Sequence, residues 1–330
     1  MLEVINTILE AFHLMAVNVA AAGPLVCVWL HFCASRRDDA VADFVGRRLA
    51  KASFTMLLIG GVLGLCNLML AMAIGDQAYL NALRQFPMRR YHFAGAEIVF
   101  SLVFSGAYWL CWEKLKRMTW VHALLAFLTA TNLLYHFPVL LTMISVVSTR
   151  EDLAGQTIDL AIYRQLLVDP EIASRSIHVV LASFAVTGIY LMAFGITLSR
   201  NESLRDGAPR VARWGARVAL LPTLVQLGVG TWALMMLPSV ARKGFMGRDA
   251  IATSLFMLSL VAMFAMMHLL GAVAFGKGDR KQIVRAMIAM TVTVLLMTGT
   301  ARRVRHLAAP APEEEAIVAA QPFAPNVETI

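Results

Sequence analysis

Eight long apolar runs, separated by short polar loops, follow one another along the chain. A helix needs about 20 apolar residues to cross the roughly 30 Å hydrocarbon core of a bilayer. The pattern therefore predicts an all-α, polytopic membrane bundle of about eight transmembrane helices. We place them at residues 10–32, 53–74, 93–112, 121–147, 177–198, 218–238, 251–275 and 283–300.

Composition agrees with a membrane protein. The 330 residues are 59% hydrophobic and only 15% charged, and the mean hydropathy is +0.68, whereas soluble domains are close to half apolar and a quarter charged. The net charge of +8 comes from Lys and Arg in the short loops, so no nucleic-acid partner is expected. None of the four cysteines forms a CxxC pair, which argues against a disulfide framework and a covalently attached c-type haem.

The basic residues also predict topology, because cytoplasmic loops are enriched in Lys and Arg. One set of loops holds 17 of them and the alternate set, with the C-terminal segment, holds 12. The denser set is expected on the cytoplasmic side, at residues 33–52, 113–120, 199–217 and 276–285. Both termini would then be extracytoplasmic, and the external loop 148–176 would carry an amphipathic stretch along the membrane surface. We predict a bundle over 1–306 and a flexible, Ala/Pro-rich acidic tail over 307–330.

Histidines inside the apolar runs are the first candidates for chemistry. With these helix directions, four lie in the external half of the membrane: His13, His92, His136 and His178. A histidine in lipid is a functional-site hypothesis, and haem iron is one group that satisfies its ring nitrogens; the alternative is a hydrogen bond that joins helices. We expect His31, His122 and His306, close to a water interface, to be ordinary interfacial residues.

Other residues add to the external layer. Glu97 is the only carboxylate well inside a predicted span, which suggests a proton carrier or an iron ligand, or else an interfacial cap. Arg89 and Arg90 could bind haem propionates or face lipid headgroups. Met257 and Met263 could be thioether ligands, although methionine is more often core filler.

Small residues follow His178 along its helix. They are Ala182, Ser183, Ala185 and Gly188. They would allow a flat macrocycle to lie against the helix, or two helices to pack closely.

Four segments resemble subunit I of the cytochrome bd quinol oxidases. AFHLMAVNVAAAGPL is similar to that family's first helix and its haem-ligating histidine, here His13. DPEIASRSIHVVLASFAVTGIYLM resembles the fifth helix with its ligating histidine, here His178, and WEKLKRMTWVHALLAFLTATNLL resembles the connection from helix 3 to helix 4. TSLFMLSLVAMF resembles the helix that carries the methionine ligand, here Met257.

The resemblance implies a b-type cytochrome in the bacterial inner membrane with two haems b. His178 and Met257 would hold one haem, and His13 would hold the second, with His92, His136 or Glu97 as its other ligand. Electrons would pass between a quinol, or an extracytoplasmic c-type cytochrome, and the other membrane subunits of a respiratory complex.

Departures from the family predict an incomplete oxygen-reducing site. The family's two acidic residues of helix 3 correspond to Phe93 and Ser101, the arginine before its methionine corresponds to Leu255, and the loop between helices 6 and 7 is short. The closing motif that supplies a carboxylate haem ligand is absent from the sequence. Two alternatives remain: a terminal quinol oxidase with rearranged haem ligands, and a haem-free channel, transporter or assembly scaffold.

Overall fold

The computed structural model describes residues 1–276 and 279–309. Within them, eight helical segments are long and apolar enough to cross a membrane, which confirms the predicted all-α bundle. Their bounds are α1 Leu2–Arg37, α2 Ala40–Ile74, α4 Met88–Leu110, α6 and α7 together Thr119–Val147, α9 Pro170–Leu198, α10 Ala208–Met236, α12 Ala250–Phe275 and α13 Arg280–Ala308. Short helices fill the loops: α3 Gln77–Gln85, α5 Trp112–Leu115, α8 Leu160–Leu167 and α11 Ser239–Lys243.

Most helices extend beyond the predicted apolar runs, because their polar ends are capped or paired. Asp39 accepts hydrogen bonds from the backbone amides of Val41 and Ala42 and thereby caps α2. Asp249 caps α12 in the same way, with the Ala252 amide 2.7 Å away, and it is also paired with Arg303. This Arg303 ion pair lowers the pKa of Asp249 to about 2. Helix α13 continues to Ala308, and the predicted tail lies outside the described residues from 310 onward.

The turn between α6 and α7 is wound as a π-helix instead of an α-helix. Between α6 and α7 the backbone forms a π-helical turn over Asn132–His136. Pro138 follows, and a proline inside a helix removes a backbone donor and clashes with the preceding turn. A π-turn accommodates this local disruption and is common at functional sites.

The small residues after His178 pack helices together. A Cβ at Gly188 would lie 2.6 Å from the carbonyl oxygen of Gly215 in α10, and a Cβ at Gly215 would overlap the backbone of Met192. Ser183 donates to the Asn18 side chain of α1 at 2.8 Å. The α9–α10 contact is therefore a backbone-to-backbone crossing, which favours the packing interpretation at Gly188.

Gly215→Val should destabilise this crossing. The added carbons cannot fit without separation of α9 and α10, and overpacking of this kind costs about 1–3 kcal/mol or more. Thermal unfolding of the purified chain in detergent measures the effect. Gly228→Val is the matched control, because nothing lies within 4 Å of a Cβ at Gly228; equal midpoints in the two variants would contradict the close crossing.

Candidate functional site

Four of the predicted site residues lie at similar depth below the same end of the bundle. His178 is eight residues into α9, Glu97 nine into α4, His13 eleven into α1, and His136 eleven before the end of α7. At 1.5 Å per residue they lie about 12–17 Å from those helix ends. The four residues therefore lie in the same half of the bundle. We call this end of the bundle the His13 end.

His13 is held by helix α2. Its Nδ1 lies 2.8 Å from the carbonyl oxygen of Gly60, so the Nδ1–H tautomer donates this hydrogen bond and Nε2 keeps its lone pair. A Cβ at Gly64 would lie 2.8 Å from Cε1 of the imidazole, so only glycine leaves room for the ring in this position. A histidine that is oriented by a backbone carbonyl through one nitrogen is typical of metal ligands.

His178 presents a buried ring nitrogen without a protein partner. Its Nδ1 is inaccessible to solvent and makes no hydrogen bond to any described residue. A Cβ at Gly230 of α10 would lie 3.7 Å from Cε1 of His178, and Gln226 donates to the His178 carbonyl oxygen at 3.1 Å. A buried unpaired nitrogen is unfavourable, so Nδ1 of this ring needs a partner that the described residues do not supply, either an internal water or a bound ligand.

Glu97 and His136 are bonded to each other. Nδ1 of His136 donates to Oε1 of Glu97 at 2.7 Å. The His136 side chain is 37% exposed and the Glu97 side chain is 8% exposed. The π-turn carries His136 at its last position, and the ring of Phe93 lies 5.5 Å from the imidazole centroid. The pair combines an acid and a base in one half-buried site. The sequence flagged both residues separately and gave no sign of this contact.

The two arginines after Pro87 lie near that pair but at the surface. Arg89 and Arg90 line an open cavity of about 330 Å³ together with Phe93 and Leu160. The guanidinium of Arg90 stacks over the ring of Tyr163 at 3.7 Å. The cavity is large enough for a ring with polar substituents and adjoins the Glu97–His136 pair through Phe93.

Two predicted ligands point away from the bundle. His92 is exposed and lies on the opposite face of α4 from the buried residues Glu97, Ser101 and Ser105. Met257 is 54% exposed and lies on the opposite face of α12 from the buried residues Ser259, Met263, Met266 and Leu270. The structure therefore does not bring either side chain to the other four residues.

A cluster of three arginines at the His13 end was not singled out from the sequence. Arg302 of α13 lies 3.1 Å from Glu10, one turn before His13, and Arg305 lies 3.7 Å from the same carboxylate. Arg175, one turn before His178, pairs with Glu171 at 2.5 Å. The sequence held one sign of this arrangement. Glu10 lies three residues before His13, and Arg175 lies three residues before His178.

Comparison with solved structures identifies a protein with a similar fold. A solved structure, that of the bd oxidase from Geobacillus thermodenitrificans, superposes with a TM-score of 0.67 over 96% of this chain and 92% of that chain, at 11% sequence identity. The chain has a bd-oxidase-like fold. No protein-family model and no curated protein matches the sequence. At this identity the likeness establishes the fold alone, which agrees with the resemblance in the sequence.

Proposed function

We propose that the chain is a membrane-integral b-type cytochrome of a respiratory complex, which transfers electrons without a complete oxygen-reducing site. The observation that carries this proposal is a pair of imidazoles at similar depth in a bd-oxidase-like fold, His13 oriented by the Gly60 carbonyl and His178 with an unpartnered ring nitrogen. A bound haem b would supply a one-electron carrier. Two haems are proposed, one held by His178 and one by His13, because each imidazole offers a nitrogen without a hydrogen-bond partner in the described chain.

The chain would orient each haem through charges one helical turn nearer the His13 end. Arg175 precedes His178, and Arg302 lies beside Glu10, which precedes His13. Guanidinium groups bind carboxylates such as haem propionates in a fixed geometry. We therefore assign the propionate contacts to Arg175, Arg302 and Arg305, and we assign Arg89 and Arg90 to the open cavity.

Met257 is the proposed second ligand of the His178 haem. It is seven residues into α12, at nearly the depth of His178 in α9, but its side chain is on the exposed face, so α12 must turn about its axis for ligation. Met257→Leu should convert the six-coordinate signal of this haem to a five-coordinate one. Met69→Leu, at an exposed position of α2, is the matched control; an unchanged spectrum in the Met257 variant would exclude this ligand.

The electron donor is proposed to be a quinol, and the quinone site to be the cavity of Arg89, Arg90, Phe93 and Leu160. The Glu97–His136 pair next to it can take up the protons that quinol oxidation releases, since proton transfer needs a positioned acid and base.

Other membrane subunits, or an extracytoplasmic c-type cytochrome at the His13 end, would be the partners. With the His13 end facing outward, both termini would lie outside the cytoplasm of a bacterial inner membrane.

A second candidate function is a terminal quinol oxidase with rearranged haem ligands, which reduces oxygen to water. The Glu97–His136 pair favours it, because a buried carboxylate that accepts a hydrogen bond from an imidazole is suited to carry protons. In that case Glu97→Gln should lower oxygen uptake by at least about tenfold, since the amide cannot carry a proton. Uptake in the purified chain with quinol distinguishes the two functions.

The deciding experiment is a dithionite-reduced minus oxidised spectrum of the purified chain, with a pyridine haemochrome count. A b-type signal from two haems without oxygen uptake supports the electron-transfer cytochrome. The same signal with oxygen uptake supports the oxidase. A preparation without haem contradicts both and leaves a scaffold with a bd-oxidase-like fold.

A further inference from the structure

An open cavity lies at the end of the bundle opposite the His13 end, beside the loop that joins α9 to α10. Its volume is about 390 Å³. The residues that line it include Val41, Ser203, Asp206, Arg210 and Arg213. A Cβ at Gly207 would lie 2.6 Å from Cγ2 of Val41, so the loop contacts α2 closely and closes one side of the cavity. None of these residues belongs to the site proposed above.

Tryptophans indicate the level of this cavity in the membrane. Five of the six tryptophans lie near this end of the bundle, at Trp29, Trp109, Trp112, Trp120 and Trp214. Tryptophan is enriched where a bilayer meets water. The rings of Trp29 and Trp214 pack edge-on with centroids 5.5 Å apart, and Trp214 follows Arg213 in the chain. The cavity therefore lies at the level of the lipid headgroups.

The cavity presents a cation and an anion that have no protein counter-charge. Arg210 is already held, because it pairs with Asp39 at 2.8 Å and lies over the Trp214 ring at 5.1 Å. Arg213 is one turn further along the same face of α10. Neither Arg213 nor Asp206 forms an ion pair within residues 1–276 and 279–309, with each other or with another residue.

A ligand that satisfies both charges must carry an anion and a cation a short distance apart. A phosphodiester joined by two carbons to a primary ammonium has this arrangement. Guanidinium groups such as Arg213 bind phosphate oxygens through two parallel hydrogen bonds. An ammonium donates three hydrogen bonds, and Asp206 and Ser203 offer oxygens to accept them. The Ser203 hydroxyl donates its own hydrogen to Asn201 at 2.8 Å, so its oxygen is available as an acceptor.

We propose that this cavity binds the headgroup of a phosphatidylethanolamine molecule of the surrounding bilayer, with its phosphate on Arg213 and its ammonium on Asp206. The two loops at the cavity, residues 33–52 and 199–217, hold ten basic and five acidic residues, and such loops attract anionic lipids in general. Within the cavity, however, the Asp206 carboxylate repels a purely anionic headgroup. The site does not involve haem, so it stands or falls separately from the proposed function.

Lipid titration of the full chain in mild detergent, followed by native mass spectrometry, tests the choice of headgroup. The probes are phosphatidylethanolamine, phosphatidylglycerol and phosphatidylcholine with identical acyl chains, and inorganic phosphate as a competitor. We expect phosphatidylethanolamine to bind at least about tenfold more tightly than the other two lipids, as for a hydrogen bond to a charged group. Equal binding of the three lipids, tighter binding of phosphatidylglycerol, or displacement of the lipid by equimolar phosphate overturns the proposal.

Two substitutions locate the headgroup in the cavity. Arg213→Gln should weaken the binding of phosphatidylethanolamine at least about tenfold. Asp206→Asn should remove the preference for phosphatidylethanolamine over phosphatidylcholine, whose methylated nitrogen has no hydrogen to donate. The matched controls are Arg205→Gln and Glu202→Gln, which are exposed in the same loop but lie outside the cavity lining, and both should keep the wild-type affinities. Because Asp206 is exposed and unpaired, its replacement leaves the fold in place; an unchanged lipid preference in that variant overturns the proposal.

Discussion

Replacement of His178 by alanine should remove one low-spin haem while the chain remains folded and inserted. The imidazole is the only proposed protein ligand on its side of this haem, and its Nδ1 has no other partner to lose. An alanine leaves a small apolar gap next to Gly230, at a position where α10 makes no tight contact. The reduced-minus-oxidised spectrum should lose the low-spin band, and the haem count should fall from two to one per chain.

The matched control is His268→Ala in α12, which is exposed and should keep both haems. Helical content by circular dichroism shows whether each variant is folded. A His178→Ala preparation with the full haem count and the wild-type spectrum would refute His178 as a ligand. A loss of haem in both variants would point to general instability and would be resolved by the unfolding midpoint.

The eight spans could be predicted from the sequence because membrane thickness imposes a minimum length on apolar runs. The helix ends could not, since they depend on partners distant in the chain. Helix α13 carries Arg302 and Arg305 beyond the predicted span because Glu10 of α1 neutralises them. Those arginines looked like loop charges, and only the three-dimensional pairing reveals them as part of the layer near His13.

The sequence predicted how deep the candidate site residues lie in the bundle, but not which way their side chains face. Because a polar group is unfavourable in lipid, the sequence identifies the level of His13, Glu97 and His178 within the bundle. Which way a side chain faces depends on the rotation of the helix about its axis, and the structure turns His92 and Met257 outward.

Burial was hardest to predict near the predicted membrane surface. His31 and His122 are close to the ends of their apolar runs, where a side chain normally reaches water. They are buried because Trp112 and Tyr108 cover them, through contacts between α1, α4, α5 and α6. No local pattern encodes this contact, because its four members lie on three segments of the chain.

The two halves of the bundle are suited to different tasks. The half with His13 and His178 offers imidazole nitrogens and arginines, which suit metal and carboxylate groups. The opposite half offers Arg213 and Asp206 in one open cavity, which suit a zwitterionic lipid headgroup. Glu97 and His136 lie in the first half, at the depth of the two histidines.

Gly64→Ala should displace the His13 imidazole without removing it. A Cβ at this position would lie 2.8 Å from Cε1 and 3.0 Å from Nδ1 of the ring, so the ring must rotate and its hydrogen bond to Gly60 is lost. The misplaced nitrogen would no longer meet the iron, and we expect the His13 haem to be lost or to bind at least about tenfold more weakly, as when an orienting contact of a metal ligand is removed.

Haem titration of the apoprotein, followed by absorbance, measures this affinity. Gly61→Ala is the matched control, because it makes the same change on the same helix and nothing lies within 4 Å of its Cβ. His13→Ala sets the level for complete loss of the ligand, and the His178 haem should persist in all three variants. Equal haem affinity in the Gly64 and Gly61 variants would show that iron does not bind His13 in this orientation, and the second haem would then need another ligand.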